Sequence, residues 1–126
     1  MNSQESGAPH YSPYTSGGGL IFVSGQLPLR PGRDTSLTDA PFKAQAEQAF
    51  HNLKNILEDA GTSLAKVVKT TVYLHDIDDW DELDEVYGRF FGSALPARSV
   101  VPTGPLHFGF RIEIEAIALA KDADGQ

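Results

Sequence analysis

The chain has 126 residues, 40% hydrophobic and 21% charged, which suits one domain able to bury roughly two thirds of its unfolded surface and does not suit a disordered chain. A formal net charge of -7, from 10 Lys plus Arg against 17 Asp plus Glu, opposes non-specific attraction to phosphate backbones, so nucleic acid is not an expected partner. The absence of cysteine removes disulfides, thiolate chemistry and cysteine-ligated zinc.

Residues 1–9 are polar and read as loose, without the basic and then apolar stretch of a signal peptide, and no apolar run approaches the ~20 residues of a spanning helix. No membrane partner and a cytoplasmic location are therefore expected. A short segment around Tyr14 leads through Gly17-Gly18-Gly19, a flexible turn, into Leu20-Ile21-Phe22-Val23. That consecutively apolar run predicts a strand covered on both faces, ending at Ser24-Gly25-Gln26, where the glycine lets another group approach the backbone. Residues 27–40 carry Pro28, Pro31, Gly32 and Asp34 and read as a loop with a ragged hairpin.

From Phe42 the apolar residues fall at 42, 46, 49, 50, 53, 56, 57 and 60, the 3.6 period of an amphipathic helix. Thr38 or Asp39 is expected to cap it, Pro41 suits its first turn and Gly61 its left-handed stop. Val67 to Leu74 is rich in β-branched residues and predicts a strand. Trp80, Leu83, Val86, Tyr87, Phe90 and Phe91 form a second helical stripe, with Asp78 as cap and Gly92 as stop. Pro96 to Val101 reads as a short strand, 102–109 as a Pro- and Gly-rich loop, and Arg111 to Leu119 as an alternating strand before a polar tail, 121–126. No internal repeat is present, and a single domain spanning 1–126 is expected.

This order predicts an α+β fold with both helices on one face of a sheet. Two strands carry apolar groups in both directions, yet no third helix exists to cover the second face. Copies of the same chain are the simplest cover, which argues for a closed oligomer.

Two charges stand out inside apolar, strand-like segments: Arg98 in Leu-Pro-Ala-Arg-Ser and Glu113 in Arg-Ile-Glu-Ile-Glu. A guanidinium fork matches a carboxylate bidentately, and a half-buried glutamate can exchange protons near neutrality. The competing readings are an interface ion pair for Arg98 and, for Glu113 and Glu115, a solvated rim or a pair with Arg111 or Lys69. Other features are weaker. The acidic run from Asp76 to Glu85 lacks the glycine of a calcium loop and fits helix-start electrostatics. His10, His51, His75 and His107 show no metal-ligand spacing, so no metal is expected; His107 either lines a pocket mouth or is a plain loop residue. Ser24 has no visible triad partners and is expected to be a hydrogen-bond donor.

The segments Phe-Val-Ser-Gly-Gln (22–26), Val-Val-Lys-Thr-Thr-Val-Tyr-Leu (67–74), Pro-Ala-Arg-Ser (96–99) and Ile-Glu-Ile-Glu-Ala-Ile-Ala (112–118), together with Tyr14, resemble the Rid (YjgF/UK114) family of imine and enamine deaminases. The resemblance implies a chorismate-mutase-like fold, a homotrimer built around a barrel of sheets, and sites in the clefts between subunits. It also implies hydrolysis of 2-aminoacrylate or 2-iminopropanoate to a 2-keto acid and ammonia without a cofactor. In that scheme Arg98 clamps the substrate carboxylate, its carbonyl faces the imine nitrogen, and Glu113 activates water. Tyr14, Ser24 and Gly25 line the pocket. Val100 stands where relatives carry a cysteine, and the 102–109 loop, which holds His107, departs from theirs. The pocket wall therefore differs, leaving room for a larger, aminomuconate-type imine. A non-catalytic trimer that senses keto acids is the alternative, while RNA cleavage, an old label for relatives, sits poorly with the acidic balance.

Overall fold

The computed structural model describes residues 10–121; the stretch 1–9 and residues 122–126 of the tail, both expected to be loose, lie outside the described residues. Five strands form one mixed sheet: β1 (Tyr14–Gly17), β2 (Leu20–Gln26), β3 (Val67–Leu74), β4 (Ala97–Pro102) and β5 (Ile112–Leu119). Their spatial order is β1-β2-β5-β3-β4. β3 and β4 run parallel while the other pairs are antiparallel. The parallel pair needs a crossover, and α2 (Trp80–Phe91) supplies it. The longer α1 (Phe42–Asp59) links β2 to β3.

Strand alternation decides the layers. Ile112, Ile114, Ala116 and Ala118 of β5, with Ile21, Val23, Val72 and Leu74, turn to one face and are buried against Phe50, Leu53 and Leu57 of α1 and Leu83, Val86 and Phe91 of α2. Each fully buried Leu, Ile or Phe of that cluster contributes about 1.5–3 kcal/mol relative to exposure. Phe50 meets Tyr87 edge-on, with ring centroids 5.7 Å apart, which ties the two helices together above the sheet. Both helices thus pack on one face of a mixed five-stranded sheet, as the element order predicts.

Several local expectations change. Phe22 is 41% exposed, so β2 alternates and is not covered on both faces within the chain. Neither Thr38 nor Asp39 caps α1: both lie in a 3₁₀ turn, Ser36–Asp39, and Pro41 takes the N-cap without a side-chain bond. The buried Gln45 does the tying instead. Its amide donates to the carbonyls of Thr38 (3.1 Å) and Ala40 (3.0 Å), and its Oε1 accepts from the Arg111 backbone N–H at 2.9 Å. One side chain therefore joins the approach to α1 to the start of β5. At α2 the N-cap is Asp79, not Asp78, and the Asp76 side chain caps the preceding turn by accepting from the Asp78 N–H at 2.9 Å. Gly61 ends α1 at φ +85°, the left-handed stop expected there.

Candidate functional site

The register between β2 and β5 breaks between Val23 and Gln26. Ser24 and Gly25 occupy this bulge, a device that bends a strand and re-aims its neighbours. Across from it, Glu113 points away from the helices, because its neighbours Ile112 and Ile114 fill the core. Its carboxylate occupies the space beside the Gly25 Cα; a methyl group built there would come within 2.9 Å of the Glu113 Cδ. Glycine is what lets the acid reach the backbone.

Tyr11, Ser24, Gly25, Leu27, His107 and Glu113 line a pocket of about 390 Å³. Its walls are fastened from several directions. The Ser24 hydroxyl donates to the Ser12 carbonyl at 2.7 Å, and the Ser24 N–H to the Pro13 carbonyl at 3.0 Å, which holds the Tyr11 segment against β2. Asn52 of α1 donates to the carbonyls of Leu27 (3.0 Å) and Leu29 (2.8 Å). His107 stacks on Phe108, with ring centroids 3.7 Å apart, in a turn where Phe108 adopts φ +62°. Burial pushes the Glu113 carboxyl above its ordinary value; the nearby Glu115 adds to this and His107 opposes it. Glu115 also faces Tyr73, whose phenol is raised by burial first and by Glu115 and Glu113 next. Among the described residues no three His, Asp or Glu side chains converge as a metal-ligand set.

Arg98 lies elsewhere. β3 separates β4 from β5, and Arg98 is in register with the buried Thr70, whereas Glu113 is in register with Tyr73. Thr70 and Tyr73 are three residues apart on one strand, so Arg98 and Glu113 turn to opposite faces of the sheet. Arg98 reaches the α2 side, where its guanidinium carbon lies 4.7 Å from the Tyr87 ring centroid and 5.5 Å from that of Trp80, and its Nη1 donates to Asp84 Oδ1 at 2.7 Å. Val100 shares that face and packs against the core. Tyr14, paired with Val23, also packs against the core and does not line the Glu113 pocket.

Of the anticipated site residues, one chain therefore gathers Ser24, Gly25, His107 and Glu113, and leaves Arg98, Val100 and Tyr14 apart from them. Tyr11 and Leu27 were not anticipated; the bulge glycine was the only local signal for this wall. Arg111, considered as a partner of Glu115, instead forks onto Asp79 at 2.7 and 2.9 Å.

Two helices packed on one side of a mixed five-stranded sheet make the α+β architecture of YjgF/L-PSP chains. Residues 2–120 match the family described as Endoribonuclease L-PSP. Protein HMF1 of Saccharomyces cerevisiae is 39% identical over 120 residues, covering 95% of this chain and 92% of its own. The human 2-iminobutanoate/2-iminopropanoate deaminase is 40% identical over 99 residues, covering 79% and 72%. The crystal structure of Escherichia coli TdcF with bound serine superposes with a TM-score of 0.80 at 32% identity, over 89% of each chain. The chain belongs to the Endoribonuclease L-PSP family, also called the YjgF/UK114/Rid family, as the sequence resemblance implied.

Proposed function

We propose that this chain hydrolyses reactive 2-imino acids, and their enamine tautomers, to 2-keto acids and ammonia. The observation that carries this reading is Glu113: a carboxylate with raised proton affinity, set in an open pocket beside a glycine bulge. A base whose affinity for protons lies closer to neutrality takes a proton from water more readily and still returns it. The human relative at 40% identity, named for deamination of such imines, supports the same chemistry.

Glu113 takes part in two proton transfers. The imine enters in its protonated form; Glu113 takes a proton from water as the water oxygen bonds to the iminium carbon, and the C=N π pair moves to the already protonated nitrogen, giving a neutral carbinolamine. Glu113 then returns its proton to that nitrogen, the C–N bond breaks with its electron pair, ammonia leaves, and the hydroxyl gives its proton to solvent water as it becomes the ketone, which balances the proton the imine brought in. No electrons are gained or lost. Acid–base assistance of this kind contributes ~10²–10⁴-fold, and the intrinsic reactivity of an imine makes that sufficient.

A carboxylate clamp completes the site when Arg98 comes from a neighbouring copy. Its placement on the sheet face opposite Glu113 supports a cleft between subunits, and the exposed Phe22 on the helix-free face supports a closed trimer, the state that sedimentation would measure. The decisive experiment supplies freshly generated 2-iminopropanoate and follows ammonia release. Glu113→Gln should abolish turnover while keto-acid binding persists; unchanged turnover would remove Glu113 from its role. A second reading, an amino- or keto-acid sensor without turnover, is favoured by the bound serine of TdcF. Binding without turnover in the unsubstituted protein would establish it.

A further inference from the structure

The Arg98 surroundings contain an acid that carboxylate binding does not require. Trp80, Asp84 and Tyr87 are spaced i, i+4 and i+7 along α2, so they form one stripe facing the edge strand β4. The two aromatic rings make a shelf for the guanidinium, and the Tyr87 hydroxyl is pinned by the buried Thr70 at 2.8 Å. Asp84 then engages Nη1 at 2.7 Å. Arg98 is the less exposed partner, with 23% of its side chain accessible against 48% for Asp84. The cation is thus oriented by the shelf, with an anion on one arm of its fork.

We propose that Asp84 is a specificity-determining residue, biasing the Arg98 site toward ligands that carry a cationic nitrogen beside their carboxylate. The inference rests on the reading of Arg98 as a carboxylate clamp. A guanidinium has five N–H donors, and the bond to Asp84 uses one of those on Nη1, which leaves the rest of the fork for a ligand. A plain 2-keto acid seated there brings a second negative charge close to Asp84, and the two carboxylates share the single positive charge of Arg98. A 2-iminium or 2-ammonium acid brings its own positive N–H group, which Asp84 can accept. The protonated imine, the form most open to attack by water, is therefore held in preference to the keto acid it becomes, and product leaves more readily.

The test measures binding of serine, a stable 2-ammonium acid, and of pyruvate, a plain 2-keto acid, by titration calorimetry at low salt. The proteins are the unsubstituted chain, Asp84→Asn, Asp84→Glu and Arg98→Ala. Because a single close charge at a partly exposed site is screened, the serine-to-pyruvate affinity ratio should fall about tenfold in Asp84→Asn. Asp84→Glu, which keeps the charge, should stay near the unsubstituted ratio, and thermal unfolding checks that both variants fold. A ratio unchanged in Asp84→Asn, or equal weakening of both ligands, would overturn the proposal and leave the clamp intact. Arg98→Ala should lose both ligands. Retention of both there would remove the clamp itself, and failure of the unsubstituted protein to bind either ligand would remove both ideas together.

Discussion

The carboxylate of Glu113 occupies the space that a side chain on Gly25 would need. A Cβ built on Gly25 would come within 2.9 Å of the Glu113 Cδ and 3.2 Å of its Cγ. The backbone of Gly25 is not left-handed, so the requirement for glycine here is one of space alone. Gly25→Ala must therefore push the acid out of its pocket or open the bulge. Displacements near 1 Å cost on the order of 10²-fold in rate, and overpacking costs about 1–3 kcal/mol in stability. Gly25→Ala should lose the proposed deaminase activity by at least that factor while still unfolding cooperatively, as checked by ammonia release beside a thermal melt. Full activity in a folded Gly25→Ala protein would mean that Glu113 has another place to work from.

The sequence carries the frame of this molecule more clearly than the site. The 3.6-residue period from Phe42 and the β-branched run from Val67 define α1 and β3, because burial of one face constrains every third or second residue. Gly25 marks the close approach, since a glycine in a strand already suggests it. What the order of residues does not contain is phase between strands. Arg98 and Glu113 both stand in strand-like segments, yet which face each takes depends on register with β3, and β3 lies between them. The Asp84 contact to Arg98 is equally silent in the sequence, because it depends on how α2 lies against the sheet edge. The cap of α1 is hidden in the sequence for a related reason: Gln45 reaches back over the turn, and a buried polar residue inside an apolar stripe reads as a flaw until its three partners are seen.

Glu113 should set the acid limb of the pH profile. Burial first, then Glu115, raises its carboxyl above the ordinary 4.5, and His107 works against them. The base form is the ionised one, so kcat/KM should rise with pH through a limb above 4.5. Glu115→Gln removes a raising charge and should move that limb to lower pH. His107→Ala removes the opposing influence and should move it higher. Rate profiles of the three proteins from pH 4 to 9 check this; a limb that ignores both changes would assign it to some other group.

The same shift has a stability consequence of definite sign. A carboxyl that holds its proton more tightly folded than unfolded makes the folded state bind more protons between the two values, so stability declines as pH rises through that window. Below the unfolded value both states are protonated and the contribution is absent. Glu113→Gln never ionises and avoids the decline. The melting-temperature gap between Glu113→Gln and the unsubstituted protein should therefore shift in favour of Gln as pH increases from 4 to 7. A gap that stays constant, or shifts the other way, would show that the acid is better solvated than its surroundings suggest.

Gln45 links the fold to the site at a distance, and its replacement gives a separate test. Its amide satisfies the carbonyls of Thr38 and Ala40, and its Oε1 satisfies the N–H of Arg111, the residue before β5 begins. Thr38 in turn donates to the Phe108 carbonyl at 3.2 Å, next to His107 on the pocket wall. Gln45→Met keeps the volume and leaves three backbone groups without this partner. Each buried group so stranded costs about 1–3 kcal/mol, although some will find water where the turn is exposed. A loss of about 2–4 kcal/mol in denaturant unfolding is expected, far more than a methionine costs at the exposed Asn55 of the same helix. Because the Arg111 and His107 segments flank Glu113, amide exchange should quicken at 106–112 in Gln45→Met before it does in α2. Equal protection in both proteins across 106–112 would show that this wall is held by Phe110 packing alone, and that the glutamine serves only the turn ahead of α1.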